Sequence, residues 1–572
     1  MAERSLRSYA IVSGVLLLLL LGAGIGCRAN LPGKGSKTES HWYVAPQGSD
    51  RRSCRRPELP CRSVQAAVDK AAPGHTVHIE SGSYPESVVV KKDLYLKGAG
   101  SEAAVIDGQN THRPLTILES QLRVTGLALK DGRAKVDGGC LLNSGGEVSL
   151  EDVTLEGCLA GRGGGAINSG RLVMVNTRLV NNRAGAAYQG DSYIAQGGGI
   201  FNTIGGVVHI QRTLFRSNSF QDPYAVENAG SVIFNQGELT LESSTVEDNG
   251  FLSTAIVNRN GVLVVRDSQI QANQSNLILH STGLSPQPSS SSLSVIGSEI
   301  TGNENALAVD VRDSVLTLED SRLDNKGGGL ELRNSRARLR GVTIEGSDPM
   351  HSARDVGGGI KSWESTLSIA DSVIRGNMSV DYGGGIRFIN RGDRPVKLTI
   401  RDSMIRDNQA GFDLSPRPQA SDVLGGGIYA LGGEVHIQDT TIAGNEADRG
   451  GGVAVWDNLE SSNTVLIEGS TISGNRARQT AYRGGGGVFI RVPVLHLKDS
   501  QGTGNKSEGV GGGLHIQNGE VDILRTLISE NQAPAGGGIF LGNLSQPKTL
   551  ALRVKVSTLK RNFATANAGP GG

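Results

Sequence analysis

The chain repeats a short alternation of hydrophobic and polar residues along most of its length. In "EVHIQ", for example, Val435 and Ile437 alternate with His436 and Gln438, which is the period of a half-buried strand. Such runs are brief and rich in β-branched residues, so they favour strands over helices. The pattern therefore predicts many short strands separated by turns.

Two markers recur in phase with these strands. A glycine triplet followed by a small or aliphatic residue begins at residues 163, 197, 327, 357, 383, 425, 450, 485, 511 and 536. An asparagine three residues after an aliphatic residue, or after Phe215 in the case of Asn218, recurs in the same phase; these are Asn182, Asn218, Asn249, Asn273, Asn303, Asn377, Asn408, Asn445, Asn475, Asn531 and Asn562. The shortest triplet spacings are 25 and 26 residues (425 to 450, 485 to 511), a period that indicates a solenoid.

The markers also predict how the coils of this solenoid stack. Equivalent strands of successive coils would lie ~4.8 Å apart, so the asparagines could form a hydrogen-bonded ladder along one corner. The glycine triplets would form a second corner, where the backbone adopts a positive φ or stacked coils approach closely. We therefore predict an all-β fold, with the coils spanning residues 76–566 and a tail at 567–572.

A solenoid needs its ends covered, and the segment 42–75 predicts the N-terminal cover. In "CRSVQAAVDKAA", the apolar residues Val64, Ala67, Val68 and Ala71 fall on one helical face. Ser63 precedes them as the expected N-cap. The sequence thus predicts a capping helix ahead of the first coils.

The stretch "WYVAPQGSD" and the later "PCRSVQAAVDKAAPGHTVHIESGSYPESVVVKKDLYLKGAG" resemble the opening of right-handed parallel β-helix proteins of the pectate-lyase-like superfamily. The "GGGI" and "GGGIFN" units resemble polymorphic outer-membrane-protein repeats. The resemblance covers roughly residues 42 to 565 and implies a right-handed parallel β-helix. It does not imply an activity, because this fold hosts lyases, hydrolases, adhesins and inert stalks. Since the coils continue towards the end of the sequence, we do not expect autotransport.

The first 26 residues read as an export signal. Arg4 and Arg7 precede an apolar run, and "GAGIGC" places small residues before Cys27. The stretch resembles a bacterial lipoprotein signal, which implies that Cys27 is lipidated and that residues 27–41 form a tether. Plain secretion and a single-pass anchor are the alternatives, although the apolar run is short for a ~20-residue span.

Composition narrows the range of partners. Lys and Arg total 57 against 56 Asp and Glu, so no basic field indicates a nucleic-acid ligand. Aromatic residues make up 4% of the chain, whereas sugar clefts of enzymes are usually rich in aromatic and convergent polar groups. The composition therefore favours a non-catalytic protein.

Four cysteines remain after Cys27, an even number that favours disulfides in an exported chain. Cys54 and Cys61 bracket a small loop and are expected to pair. Cys140, in "DGGC", occupies the position of the aliphatic residue after the glycine corner, and Cys158, in "LEGC", that of the ladder asparagine. Two repeat positions have changed to cysteine in neighbouring coils, which predicts a second bridge; buried free thiols are the alternative.

Two sets of residues are candidates for ligand binding. Asp355, Asp381 and Asp448 each lie two residues before a glycine triplet, where a Ca²⁺ ion or neighbouring arginines could offset their mutual repulsion. A calcium or catalytic site is one interpretation of this ladder, and a solvated row of charges is the alternative. The aromatic residues form a candidate glycan platform, with packing against loops as the alternative; they are Trp363, Tyr382, Phe388, Tyr429 and Trp456. Apart from this Ca²⁺ ion, we expect no metal ion and no cofactor.

These observations predict a lipid-anchored protein of the bacterial cell envelope, at the outer membrane or cell surface. It would act as a non-catalytic adhesin, scaffold or glycan-contacting protein, with a polysaccharide or another surface protein as partner. The alternative is a polysaccharide lyase or glycoside hydrolase acting on an acidic polysaccharide. Signatures of the cleaving relatives, such as Asn-Thr-Asp, Gly-His-Gly and Arg-Ile-Lys, are absent from the sequence.

Overall fold

The computed structural model describes residues 40–185, 187–189, 192–221, 231–249, 254–271, 278–281, 291–302, 307–348, 358–392, 394–411, 423–456, 464–480, 484–542 and 550–565. The export signal, Cys27, most of the tether, Asp355 and the C-terminal tail lie outside these residues. Within the described part of the chain, no helix is long and apolar enough to cross a membrane.

The described coils stack as a parallel β-helix with three sheets. Each coil adds one strand to each sheet, and equivalent residues pair in register, as Ile386 does with Ile428 and Ile428 with Val453. Because parallel connections of this kind are right-handed in nearly all proteins, the coil is right-handed. The predicted fold class, a right-handed parallel β-helix with an N-terminal helix, is confirmed.

Sheet 1 contains the strands that follow the glycine triplets. Its strands are Val88–Val90, Leu115–Leu118, Leu141–Ser144, Ala166–Asn168, Ile200–Asn202, Ser231–Asn235, Thr254–Arg259, Ile278–Ser281, Val309–Arg312, Leu330–Arg333, Ile360–Trp363, Ile386–Ile389, Ile428–Leu431, Val453–Trp456 and Ile539–Leu541.

Sheet 2 contains the strands of the "EVHIQ" type. Its strands are His41–Val44, His75–Ile79, Leu94–Gly98, Arg171–Val175, Val207–Gln211, Glu238–Glu242, Val262–Arg266, Ser292–Ile296, Val315–Glu319, Arg336–Arg340, Thr366–Ala370, Lys397–Arg401, Glu434–Gln438, Thr464–Glu468 and Leu550–Lys555. Two long strands, Val488–Lys498 and Leu514–Leu524, belong to both sheet 1 and sheet 2.

Sheet 3 contains the short strands before the asparagine corner. Its strands are Gly82–Pro85, Ala104–Asp107, Arg178–Val180, Leu214–Arg216, Thr245–Glu247, Gln269–Gln271, Glu299–Thr301, Arg322–Asp324, Thr343–Glu345, Val373–Arg375, Met404–Arg406, Thr441–Ala443, Thr471–Ser473, Gln501–Thr503, Leu527–Ser529 and Thr558–Lys560. The long strands Gln121–Lys130 and Glu147–Glu156 belong to both sheet 2 and sheet 3.

Shorter strands complete the corners. Two-to-three-residue parallel strands follow the asparagine corner at Leu159–Ala160, Arg183–Gly185, Ser219–Gln221, Met378–Ser379, Gln409–Ala410, Glu446–Ala447, Arg476–Ala477, Lys506–Ser507, Gln532–Ala533 and Phe563–Ala564. An antiparallel hairpin joins Ala187–Gln189 to Ser192–Ile194.

The capping helix spans Val64–Lys70, as the apolar spacing predicts. Ser63 is its N-cap, and the Ser63 hydroxyl accepts a hydrogen bond from the Ala66 N–H at 3.2 Å. The carboxylate of Glu86 accepts the N–H groups of Val64 and Gln65 at 2.7 and 2.9 Å. These contacts satisfy the free N–H groups of the first turn and fix the helix over the first coils.

The predicted asparagine ladder is present at the corner after sheet 3. The Asn445 side-chain amide donates to Asn475 Oδ1 at 3.0 Å and also to the Ile405 carbonyl at 2.9 Å. The same bonds link, in order, Asn377, Asn408, Asn445, Asn475, Asn505, Asn531 and Asn562. Because each buried amide is satisfied by its neighbours, the ladder stabilises the corner along the stack.

The glycine triplet faces this ladder across the interior of each coil. Gly425, the first of its triplet, has a φ of 73°, and a Cβ on the second, Gly426, would collide with the Gly451 carbonyl oxygen. A Cβ on the third, Gly427, would lie 3.0 Å from Asn445 Cγ. The triplet therefore combines a positive φ with two close approaches, which only glycine permits.

Both predicted disulfides are present. The second disulfide joins the two positions that the third glycine and the ladder asparagine occupy in other coils. Cys54 and Cys61 have a Cα–Cα distance of 5.0 Å, and Cys140 and Cys158 one of 5.4 Å. The predicted position of Cys140 is wrong by one residue, because Leu141 pairs with Ala166 and Cys140 aligns with the third glycine. Cys158 does take the ladder position, since its N–H donates to Asn182 Oδ1 at 3.1 Å.

A second asparagine ladder lies at the end of the sheet 1 strands in the N-terminal coils. Side-chain amides donate to the next Oδ1 at 2.6–2.9 Å along Asn143, Asn168, Asn202, Asn235 and Asn258. The sequence carries its signal in the recurring "LLN", "AIN", "IFN" and "IVN". This ladder was not predicted, because the predicted ladder contained only the asparagines of the sheet 3 corner.

Candidate functional site

Strand parity decides which side chains of sheet 1 reach the outer surface. The residue after a glycine triplet points into the coil, so the second and fourth residues of the strand point outward. In Val453–Trp456 the outward residues are thus Ala454 and Trp456. The fourth position aligns Trp363 with Ile389, then with Leu431 and Trp456, along four successive coils.

These outward positions assemble an aromatic surface on sheet 1, which we define as Trp363, Tyr382, Tyr429, Trp456 and Phe489. The rings of Tyr382 and Tyr429 stack with centroids 4.8 Å apart, and those of Trp456 and Phe489 lie 6.0 Å apart. Tyr429 and Phe489 are buried, whereas both tryptophans and Tyr382 are partly exposed. The two tryptophans are three coils apart, ~14 Å at the strand spacing.

Arginines lie against the rings of the aromatic surface. The Arg387 guanidinium is 5.0 Å from the Trp363 ring centroid and 5.5 Å from that of Tyr382. Arg491 lies 4.5 Å from the Trp456 ring, within cation–π range. Arg387 is 6% exposed, and its Nε has no acceptor among the described residues. The surface thus combines apolar ring faces with guanidinium groups.

The structure corrects the predicted membership of this group. Phe388 is the third residue of its strand, and it points into the coil and is fully buried in the main core. Phe489, which the sequence analysis missed, is the second residue of its strand and lies among the outward side chains. The alternation of inward and outward residues after each triplet would have distinguished Phe388 from Phe489.

The ring stack continues past Phe489 towards the last coils. His515 packs edge-on between Phe489 and Phe540, with centroids 5.2 and 5.4 Å away. Burial, together with the charge of Arg449, lowers the pKa of His515 to about 4. Burial likewise raises the pKa of Tyr429 to about 12. Both groups are therefore uncharged at neutral pH.

Two aspartates of the predicted ladder, Asp381 and Asp448, lie within the described residues, and each has an arginine nearby. Asp381 accepts a hydrogen bond from Arg387 at 2.9 Å, and Asp448 lies 3.5 Å from Arg478. Val423 occupies the equivalent position in the coil between them, and its N–H donates to Asp448. The described residues contain no group of three side chains suited to a metal ion. Both described aspartates of the ladder therefore form ion pairs with arginine.

One pair of carboxylates lies side by side in the preceding coils of sheet 1. Asp310 and Glu331 occupy the same outward position in adjacent strands, and both are buried. Asp310 bonds Arg312 at 2.7 Å, and Glu331 bonds Arg333 at 2.5 Å. Burial raises the pKa of Asp310. These residues were not singled out from the sequence.

An open charged cavity of about 420 Å³ lies on sheet 3. Its central carboxylate, Glu345, accepts hydrogen bonds from Arg322 at 2.8 Å and from Arg375 at 2.6 Å. These bonds lower the pKa of Glu345. Since its charges are paired internally, this cavity offers less to a ligand than the aromatic surface does.

The fold and these surfaces define a right-handed parallel β-helix protein with an aromatic and arginine-lined patch on sheet 1. No family model matches the chain. A probable autotransporter of Escherichia coli, YfaL, is 29% identical over 211 residues, which cover 35% of this chain and 15% of that protein. An uncharacterised Bacillus subtilis protein, YwoF, is 29% identical over 137 residues, which cover 22% of this chain and 28% of its own length.

Solved structures with a detectable likeness include the A-module of the mannuronan C-5 epimerase AlgE4 from Azotobacter vinelandii. The likeness covers 90% of this chain and 99% of the module, with 14% identity and a TM-score of 0.24. At values this low, the likeness bears on neither activity nor substrate.

Proposed function

We propose that this protein is an exported, lipid-anchored component of a bacterial cell envelope that holds a polysaccharide on the aromatic surface without cleaving it. The observation that carries the proposal is the exposure of Trp363, Tyr382 and Trp456 beside Arg387 and Arg491. In the described part of the chain most large aliphatic side chains are buried, whereas these three rings are partly exposed.

The chemistry of the aromatic surface suits a sugar chain. The C–H face of a pyranose ring is apolar and packs against a flat indole or phenol ring, while hydroxyl groups need donors at the edge. Trp363 and Trp456 provide ring faces at the two ends of the surface. Arg387 provides a buried donor, Nε, with no acceptor among the described residues. A hydroxyl or carboxylate of the polysaccharide would satisfy it.

The state of the nearby acids supports binding without cleavage. A general acid or base needs a carboxyl group that can exchange its proton with the substrate. Asp381 and Asp448, the acids beside the aromatic surface, are both paired with arginine. The guanidinium groups thus occupy carboxylate oxygens that a general acid or base would have to present to a substrate.

Export is supported by the two disulfides, which form and persist in oxidising compartments. A lipid anchor at Cys27 explains the apolar N-terminal run as an export signal, without a membrane-spanning helix. Fractionation of cells that express Cys27→Ser tests it. We expect the variant in the soluble fraction, and unchanged membrane partitioning would contradict a lipid at this position.

Binding is tested by titrating the protein with a panel of neutral and acidic polysaccharides. We expect at least one polymer to bind, and Trp363→Ala and Trp456→Ala each to weaken it more than about tenfold, or ~1.4 kcal/mol. Tyr95→Ala is the matched control, because Tyr95 forms a similar pair with Arg123, at 5.3 Å, on sheet 2. Absence of binding, or equal loss in the control, would contradict the proposal.

A second candidate function is hydrolysis or lyase chemistry on an acidic polysaccharide. It is favoured by one observation, the adjacent buried carboxylates of Asp310 and Glu331. The same panel, assayed with and without Ca²⁺ for unsaturated products and new reducing ends, separates the two functions. Turnover that is lost in Asp310→Asn and Glu331→Gln would establish the enzyme and overturn the non-catalytic proposal.

A further inference from the structure

Two histidines face each other on the outer surface of sheet 2, in the first described coils. His41 Nδ1 and His78 Nε2 are 2.9 Å apart, and the rings are tilted by 51°. Their strands, His41–Val44 and His75–Ile79, are neighbours in which Tyr43 pairs with His78. Both rings are partly exposed, so an ion can reach them from solvent.

The surrounding side chains hold this pair in place. The Tyr43 ring stacks on His78 at 5.1 Å with an interplanar angle of 14°. An uncharged imidazole offers a lone pair, which is the form that binds a metal ion.

From this geometry we propose that His41 and His78 form a site for a divalent transition-metal ion, with water in the remaining positions. Metal–nitrogen bonds are ~2.0–2.1 Å long, so nitrogens 2.9 Å apart subtend about 90° at the ion. That is the angle between neighbouring ligands in square-planar or octahedral coordination. A tetrahedral ion would need about 3.3 Å between the nitrogens. The spacing therefore favours Cu²⁺ and Ni²⁺ over Zn²⁺.

A bound ion would join the first two strands of sheet 2 through their side chains. Without metal, the pair forms a hydrogen bond in which one ring nitrogen donates to the other. The ammonium of Lys97, whose residue pairs with His78 on the next strand, opposes a cation and weakens the site. The site is independent of the proposed glycan surface, which lies on sheet 1.

Calorimetric titration of the full chain with Ni²⁺ and with Zn²⁺ tests the proposal. We expect Ni²⁺ to bind more tightly than Zn²⁺, and His41→Ala and His78→Ala each to weaken Ni²⁺ binding more than about tenfold. His209→Ala is the matched control, because His209 is also an outward histidine of sheet 2 but has no histidine beside it on its paired strands. We expect the His209→Ala variant to bind Ni²⁺ with the same affinity as the unaltered protein.

The spectrum of bound Cu²⁺ provides an independent readout. We expect electron paramagnetic resonance to show two coordinating imidazole nitrogens, reduced to one in either alanine variant. Circular dichroism checks folding, and His78→Asn replaces the ring with a smaller polar group should His78→Ala fail to fold. Ni²⁺ affinity unchanged in His41→Ala and in the His78 variants, or a loss in His209→Ala of the same size, would overturn the site.

Discussion

The outer surface of sheet 1 differs between the N-terminal and the C-terminal coils. In the N-terminal coils, the register aligns Ile167, Phe201, Phe234 and Val257 at one outward position, and all four are at most 3% exposed. Phe201 and Phe234 stack with centroids 5.2 Å apart. In the C-terminal coils, the outward positions hold partly exposed tryptophans. The N-terminal coils thus pack rings at the position that follows the first inward residue, whereas the C-terminal coils present tryptophans two residues further along the strand.

Arginines cover rings in both regions, so the guanidinium groups alone do not mark a binding site. Arg162 lies 5.2 Å from the Phe201 ring, and Arg259 lies 5.5 Å from that of Phe234. The regions differ in the exposure of the rings beneath. Substitutions in the N-terminal coils should therefore affect stability, and those at the exposed rings should affect binding.

The largest expected effect is that of Phe234→Ala. Removal of this fully buried ring leaves a cavity, so the free energy of unfolding should fall by about 3–5 kcal/mol. Chemical denaturation measures the change. A loss below about 1 kcal/mol would show that the Phe234 ring contributes no more to the free energy of unfolding than a partly exposed ring does.

Acidification should destabilise the C-terminal coils through His515. Its pKa is about 4 in the folded protein and near 6.5 when unfolded, so the unfolded state binds more protons between these values. Stability from this group is complete above pH ~6.5 and falls by about 3 kcal/mol as the pH approaches 4. His515→Phe should reduce this dependence, as measured by the unfolding midpoint against pH. An unchanged pH profile would contradict the assignment.

The Cys140–Cys158 bridge should contribute about 3 kcal/mol, since it closes a short loop in the unfolded chain. Cys140→Ser with Cys158→Ser should lose this amount in denaturant unfolding. Cys140→Gly with Cys158→Asn recreates the glycine–asparagine pair of the C-terminal coils and should lose less. Equal losses would indicate that the ladder position in the first coils cannot accept asparagine.

The smallest effect on stability is expected for Trp456→Ala. Because this ring is partly exposed, the variant should lose less of the free energy of unfolding than Phe234→Ala does, by at least about 1 kcal/mol. Thermal unfolding of both variants, compared side by side, gives the difference. Equal losses would place Trp456 in the core and remove it from the proposed surface.

Much of the fold was predictable because the same residues recur at equivalent positions of many coils. The glycine corner, the ladder of Asn377 to Asn562 and the Cys140–Cys158 bridge follow from residues that recur in phase, and the Cys54–Cys61 bridge follows from the short loop between its cysteines. The site was less predictable, because nearness in sequence does not determine the side of a strand. Phe388 and Phe489 differ by one position after the triplet, and that difference places one inside and the other outside. Asp381 and Asp448 occupy equivalent positions of their coils, but another coil lies between these two coils.

The central claim, that the aromatic surface holds a polysaccharide without cleaving it, is tested most directly by one measurement on one sample. The protein is incubated with the tightest-binding polymer of the panel, and bound polymer and chain length are both followed over time. We predict saturable binding that Trp456→Ala weakens, with a chain length that stays constant. A progressive fall in chain length that requires Asp310 and Glu331 would contradict the account.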